Sequence, residues 1–362
     1  VFTGTSPMNH GIIGNNWFDK TNGEFVYCAG DAEVTPVGTL DRAGKMSPHR
    51  MLVTTITDEN RLATQMRGKT IGIALKDRGA ILPAGHTANA AYWFHGKKEG
   101  KWITSSYYMD KLPNWVDAFN NSGKAQSYLR PWDTLYPIET YVESGSDLNE
   151  FEQGFKGKET ATFPYDIDKL KAENDDYEIL KAIAYGNDLT TDFAMAAIDG
   201  ENLGKNSDTD ILTLSYSSTD YVGHNFGVNS KEIQDTYLRL DKNIADLLNF
   251  LDERVGKDNY IVFLTADHAA VEVPAYLESV NIPAGYFDTK GFIEKTKDFV
   301  EEKYGDKNLI ENISNDQVFF NYGLLDQMGI ESKELQEKLA AFILSQDKIH
   351  RVYTRNQIVS GA

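Results

Sequence analysis

The chain has 362 residues, 41% hydrophobic and 25% charged, which supports a sizeable core and excludes a disordered or collagen-like chain. Asp+Glu 54 against Lys+Arg 36 leaves a net charge of −18, which repels polyanions and argues against nucleic-acid binding. The single cysteine, Cys28, excludes an intrachain disulfide and a CxxC zinc site, and no run of 18 apolar residues is present to span a membrane.

In chain order, a polar-flanked helix around Asp58–Met66 leads to an apolar strand over Thr70–Leu75 and then to Lys76-Asp77-Arg78-Gly79. Ala91-Tyr92-Trp93-Phe94 and Trp102-Ile103-Thr104 flank a Gly/Lys turn, the pattern of a hairpin. From about 112 to 185 the pattern is irregular and dense in Pro, Trp, Asn, Asp and Tyr, and reads as an insertion forming part of a cap. Ile211, Leu212, Leu214 and Tyr216 form a buried strand running into Ser217-Ser218-Thr219-Asp220. A long helix follows with Ser230 as N-cap, its apolar residues Ile233, Tyr237, Leu240, Ile244, Leu247 and Leu251 spaced at three or four, and Gly256 at its end. Tyr260–Leu264 reads as a second buried strand entering Ala266-Asp267-His268, which completes a βαβ unit. Residues 283–325 form a second excursion ahead of a helix over Ser332–Ser345. The expected architecture is one α/β domain over 1–362, a mostly parallel sheet sandwiched by helices, with cap insertions at about 112–185 and 283–325.

Ligands of an open parallel sheet gather beyond the carboxyl ends of its strands. Three expected strand ends carry ionisable clusters: Lys76 with Arg78, Asp220 with His224, and Asp267 with His268. Two carboxylates and two imidazoles form a mixed N/O donor set that suits zinc, manganese or iron better than calcium. A two-metal site holds the attacking and leaving oxygens of an in-line displacement, so the pattern points to phosphoryl or sulfuryl transfer. Lys76 and Arg78 supply the local positive charge that an anionic substrate needs on a chain of this net charge.

Ser217-Ser218-Thr219-Asp220-Tyr221-Val222-Gly223-His224 and Leu264-Thr265-Ala266-Asp267-His268 resemble the paired zinc-ligand motifs of the alkaline phosphatase superfamily. Phe2-Thr3-Gly4-Thr5-Ser6-Pro7 and His10-Gly11-Ile12-Ile13-Gly14-Asn15-Asn16-Trp17 resemble the segment after the nucleophile in its nucleotide pyrophosphatase/phosphodiesterase branch. Lys76-Asp77-Arg78-Gly79-Ala80-Ile81-Leu82-Pro83-Ala84-Gly85-His86 is similar to the PafA-type bacterial alkaline phosphatases of that branch. The resemblance implies that Asp220 and His224 ligate one of two zinc ions and Asp267 and His268 the other. It implies that Asn15 donates to a phosphoryl oxygen and that Lys76 and Arg78 contact the transferred phosphoryl group of small phosphate monoesters. A covalent phospho-Thr or phospho-Ser enzyme, export to the periplasm or beyond, and a monomeric state follow from the same likeness.

The nucleophile and a first Asp ligand of this family lie upstream of the position matching Val1, and a third zinc His lies beyond Ala362; His350 is not in a matching context. The chain therefore reads as an internal piece with the nucleophile outside it, nearly inactive by itself. The alternatives within enzymes are a phosphodiesterase or nucleotide pyrophosphatase of the same branch, and next a sulfatase or phosphonate hydrolase. Outside enzymes, a non-catalytic module ordered by metal fits the same residues. His86 reads as a residue that orders the Lys-x-Arg loop, and Cys28 as a small core residue.

Overall fold

The computed structural model describes residues 1–361, which divide into two compact units, Val1–Ile13 with Cys28–Ile282 and Gly14–Tyr27 with 283 onward. This differs from the expected single domain, because residues 283–325 open the second unit instead of forming an excursion from the first.

The larger unit is built on a five-stranded mixed sheet with the spatial order Pro36–Val37, Lys101–Ser105, Ala90–His95, Thr70–Ala74, Ile211–Ser215. The last three run parallel, and the Ala90–His95/Lys101–Ser105 hairpin forms as its sequence predicts. Thr70–Ala74 is buried at every residue, the continuous burial of a central parallel strand covered on both faces. The helices Asp77–Ala84 and Tyr185–Glu201 pack on the sheet, and Ser218–Phe226 and Lys231–Arg254 pack on Tyr185–Glu201 and on each other. Trp102 stacks on Phe193 at 4.1 Å and 9°, with Tyr92 and Trp115 edge-on to one another beside them. From the 112–185 segment, Trp132, Phe155 and Tyr165 belong to the same core as Ile71 and Ile73.

One strand is corrected. Residues 259–273 have no regular secondary structure, and Ile261 and Leu264 are 96% and 80% exposed. A β-branched run becomes a strand by pairing and by packing on a pleated face. Among the described residues the Ile211–Ser215 strand pairs on one side only, with Thr70–Ala74, and is itself half-buried. The βαβ unit therefore stops after its helix.

That helix, Lys231–Arg254, is capped as expected: Ser230 is buried, accepts from Ile233 N at 3.1 Å and donates to Gly227 O at 3.0 Å. Ser230→Ala is expected to cost about 1 kcal/mol, read as a lower urea midpoint at unchanged slope.

The smaller unit pairs Asn16–Asp19 with Glu24–Tyr27 and Ile310–Ser314 with Gln317–Phe320, the second hairpin turning through Asn315 and Asp316 at φ 50° and 57°. Its core gathers Val300, Leu309, Leu325, Leu335 and Leu339 from the helices Thr289–Tyr304, Tyr322–Met328 and Ser332–Leu344 and the turn between them. Asn315 Nδ2 donates to Asn16 O, and Phe18 and Phe319 meet at 5.1 Å, tying the two hairpins together.

Candidate functional site

The parallel register sets Ala74 opposite Ser215, so the segments after the two strands leave the same edge of the sheet. Lys76 follows one strand as N-cap of Asp77–Ala84, and Ser217 follows the other as N-cap of Ser218–Phe226. The first of these helices lies so close to its strand that a Cβ on Gly72 would meet Ala80 O at 2.1 Å, so only glycine fits there.

Asp220, in the first turn of Ser218–Phe226, is the centre of the cluster. The Lys76 ammonium donates to its Oδ2 and lies 4.5 Å from the centre of the Tyr221 ring. His224 Nε2, one turn along, is 3.4 Å from Asp220 Oδ1, and His268 Nε2 is 3.6 Å from the same oxygen. Burial pushes the Asp220 carboxyl up, but Lys76, His224 and His268 outweigh it and hold the group below the usual carboxylate range.

Four predicted residues are thus brought together: Lys76, Asp220, His224 and His268. Asp267 stands 3.5 Å from His268 Nε2 but is 90% exposed, on the unpaired 259–273 segment. Arg78 lies in the first turn of Asp77–Ala84, where its charge acts on Tyr221 and on the Cys28 thiol. Burial, then Asp77, pushes that thiol up to about 11 against Arg78, which keeps Cys28 protonated and unreactive. Asn15 is an exposed residue of the smaller unit, just ahead of Asn16–Asp19.

The donors have zinc chemistry, imidazole nitrogen and carboxylate oxygen. Among the described residues no three Asp, Glu, His or Cys side chains converge in a metal-holding arrangement. Each Asp/His pair supplies two donors, fewer than a catalytic zinc usually has.

Sequence reasoning missed two residues of this region. Tyr221 carries the Lys76 ammonium on its ring, a contact across 145 positions with no local signal. Asp58 is fully buried under the C-terminal end of Asp77–Ala84, accepting from Thr87 N at 2.7 Å and Thr87 Oγ1 at 2.8 Å. The Thr55-Ile56-Thr57-Asp58 capping box announces it, and that box forms. His86 joins this network, with Nδ1 3.4 Å from Asp58 Oδ2 and Nε2 2.8 Å from Met51 O.

Residues 1–361 match the profile of the type I phosphodiesterase / nucleotide pyrophosphatase family. The chain is similar to a Myroides odoratus protein named calcium-transporting ATPase, 46% identical over 100% of the chain and 66% of that protein. It is similar to alkaline phosphatase PhoV of Synechococcus elongatus, 43% identical over 96% of the chain and 62% of that protein. The chain thus spans less than two thirds of the length of these curated relatives. The crystal structure of wild-type alkaline phosphatase PafA superposes with a TM-score of 0.94 at 41% identity, over 99% of this chain and 68% of that one.

Proposed function

Because the chain belongs to the type I phosphodiesterase/nucleotide pyrophosphatase family, we propose that the whole protein is a zinc-dependent hydrolase of small phosphate monoesters. The observation that carries this reading is the meeting of Lys76 with Asp220: a cation from one strand end sits on the carboxylate of the next, where a dianion and metals would need both.

Asp220 with His224 would hold one zinc ion, and Asp267 with His268 the other. Zinc bound there supplies a Lewis acid and lowers the pKa of bound water. Lys76 offers a point charge to the phosphoryl oxygens, and Arg78 a planar fork that fits two of them. Together they neutralise an approaching dianion against the acidic surface. Asn15 belongs to the smaller unit, and its part, donating an amide hydrogen to a phosphoryl oxygen, rests on sequence resemblance alone. A covalent phospho-enzyme, export to the periplasm or beyond and a monomeric state belong to the same proposal. Among the described residues no helix is long and apolar enough to cross a membrane.

The test compares p-nitrophenyl phosphate with bis(p-nitrophenyl) phosphate on a protein of the relatives' full length. The monoester is expected to lead in kcat/KM by at least about 10²-fold, and its turnover to fall to background on chelation and return with Zn²⁺. A diester lead would sink the monoesterase reading in favour of a diesterase of the same family. Turnover indifferent to chelation would remove the zinc assignment.

A further inference from the structure

We propose that Tyr221 is a positioning residue for phosphate monoester hydrolysis, a role that rests on the monoesterase reading above. The face of its ring is a fixed seat for the Lys76 ammonium, and the preference for a monoester over a diester passes through that seat.

The lysine and the ring reach each other from two strand ends. Lys76 follows Thr70–Ala74, Tyr221 belongs to the helix Ser218–Phe226, and the ammonium stands 4.5 Å from the ring centre, inside the roughly 6 Å range of a cation–π contact. The helix that carries the ring is held at its start. Val222, the next residue, is fully buried in the main core. Asn187, also fully buried, donates from Nδ2 to Thr219 Oγ1 at 3.3 Å. Gly186 lies so close that a Cβ there would meet Ser218 Oγ at 2.1 Å. The ring is therefore fixed by the core, and the flexible lysine settles on it.

Asp220 is a seat that the lysine shares. Its Oδ2 accepts from Lys76, while His224 and His268 lie against its Oδ1, and under the proposed function the same carboxylate holds zinc. The ring has no such second claim on it. Its negative face takes one side of the ammonium and leaves N–H donors on the other sides for phosphoryl oxygens. The Lys76 side chain is mostly withdrawn from water, the setting in which a ring face is worth most to a cation. A monoester dianion carries one more charge than a diester, so loss of the seat weighs on the monoester.

In a protein of the relatives' full length, Tyr221→Leu is expected to lower kcat/KM for p-nitrophenyl phosphate by about 5- to 30-fold and for bis(p-nitrophenyl) phosphate by less than about 3-fold. Tyr221→Phe is expected to restore most of the loss, because a phenyl face also holds a cation. Mono-, di- and trifluorinated phenylalanine at the same position keep the shape of the ring and drain charge from its face, so monoester kcat/KM is expected to fall stepwise along that series. In a Lys76→Ala background, Tyr221→Leu is expected to cost less than about 2-fold more. Equal losses on monoester and diester, no trend along the fluorinated series, or the full Tyr221→Leu loss persisting without Lys76 overturns the seat. Urea unfolding of this chain reads the same contact without turnover: the cycle of Lys76→Ala and Tyr221→Leu is expected to show a coupling of about 3-fold or more in the unfolding constant. A coupled cycle in a protein with no monoester lead would sink the monoesterase reading and leave the ring contact standing. An uncoupled cycle overturns the seat whatever the substrate.

Discussion

Replacing Lys76 with Ala in a protein of the relatives' full length is expected to lower kcat/KM for p-nitrophenyl phosphate by about 10²- to 10³-fold, and for a p-nitrophenyl phosphodiester by less than about 10-fold. A monoester dianion carries one more charge than a diester, and that charge is what a cation at this position meets. Unit charges about 4 Å apart in an environment near a protein surface interact by about 4 kcal/mol, an upper bound that corresponds to the larger figure. The Lys76 side chain is only 16% exposed, and it is fixed at one end by the strand register and at the other by Asp220 and the Tyr221 ring. Its placement is therefore already paid before substrate arrives. Lys76→Arg is expected to recover only part of the loss, because the guanidinium fork does not reproduce a compact ammonium against one oxygen. Under the proposed function, in which both side chains meet one phosphoryl group, removing Arg78 as well should cost less than the sum of the single effects. Equal losses on monoester and diester would show that Lys76 serves the local fold and not the extra charge.

The elements that position this lysine were legible because their signals are local. Thr70–Ala74 is a short apolar run, Ser230 caps an amphipathic helix with the spacing that predicts it, and the Ala90–Ser105 hairpin carries aromatic-rich segments on both sides of a Gly/Lys turn. The Asp220 and His224 pair was legible for the same reason, being one helical turn apart just past a strand. Tyr260–Leu264 has the composition of a strand, yet strand formation is a property of two segments, and the composition of one cannot report whether the other is there. The second unit was invisible for a related reason: its two hairpins are joined by Phe18 with Phe319 and Asn16 with Asn315, contacts 300 residues apart that leave no periodicity behind.

Asp58→Asn is expected to destabilise the larger unit by about 3–5 kcal/mol at pH 7, the range for removing one partner of a buried charge pair. The carboxylate is fully buried and accepts from Thr55 N and Oγ1, both at 3.0 Å, and from Thr87 N and Oγ1. An amide in its place keeps one acceptor and turns an NH₂ toward donors that then lack partners. The neighbouring backbone is fitted to the present group: Gly85, at φ 80°, ends the helix that begins after Lys76, and a Cβ there would meet Asp58 Oδ2 at 2.4 Å. Burial pushes the Asp58 carboxyl up, but hydrogen bonds from His86, Thr55 and Thr87 prevail and hold it well below the ordinary range. The same contact with Asp58, against burial and with help from Met51 O, raises His86, whose two ring nitrogens both face acceptors. The depressed carboxyl contributes stability that is present above the usual carboxylate pKa, about 4, and is lost as pH falls through its folded value. The raised imidazole contributes stability that is complete below about pH 6.5 and is lost as pH rises through its folded value. The gap between the natural chain and Asp58→Asn is therefore widest from about pH 4 to 6.5 and narrows on both sides. Urea unfolding followed by tryptophan fluorescence reads the larger unit, which holds Trp93, Trp102, Trp115 and Trp132. A gap that stays constant from pH 3 to pH 9 would mean that packing, not the Asp58–His86 charge pair, anchors the end of the Lys76 helix.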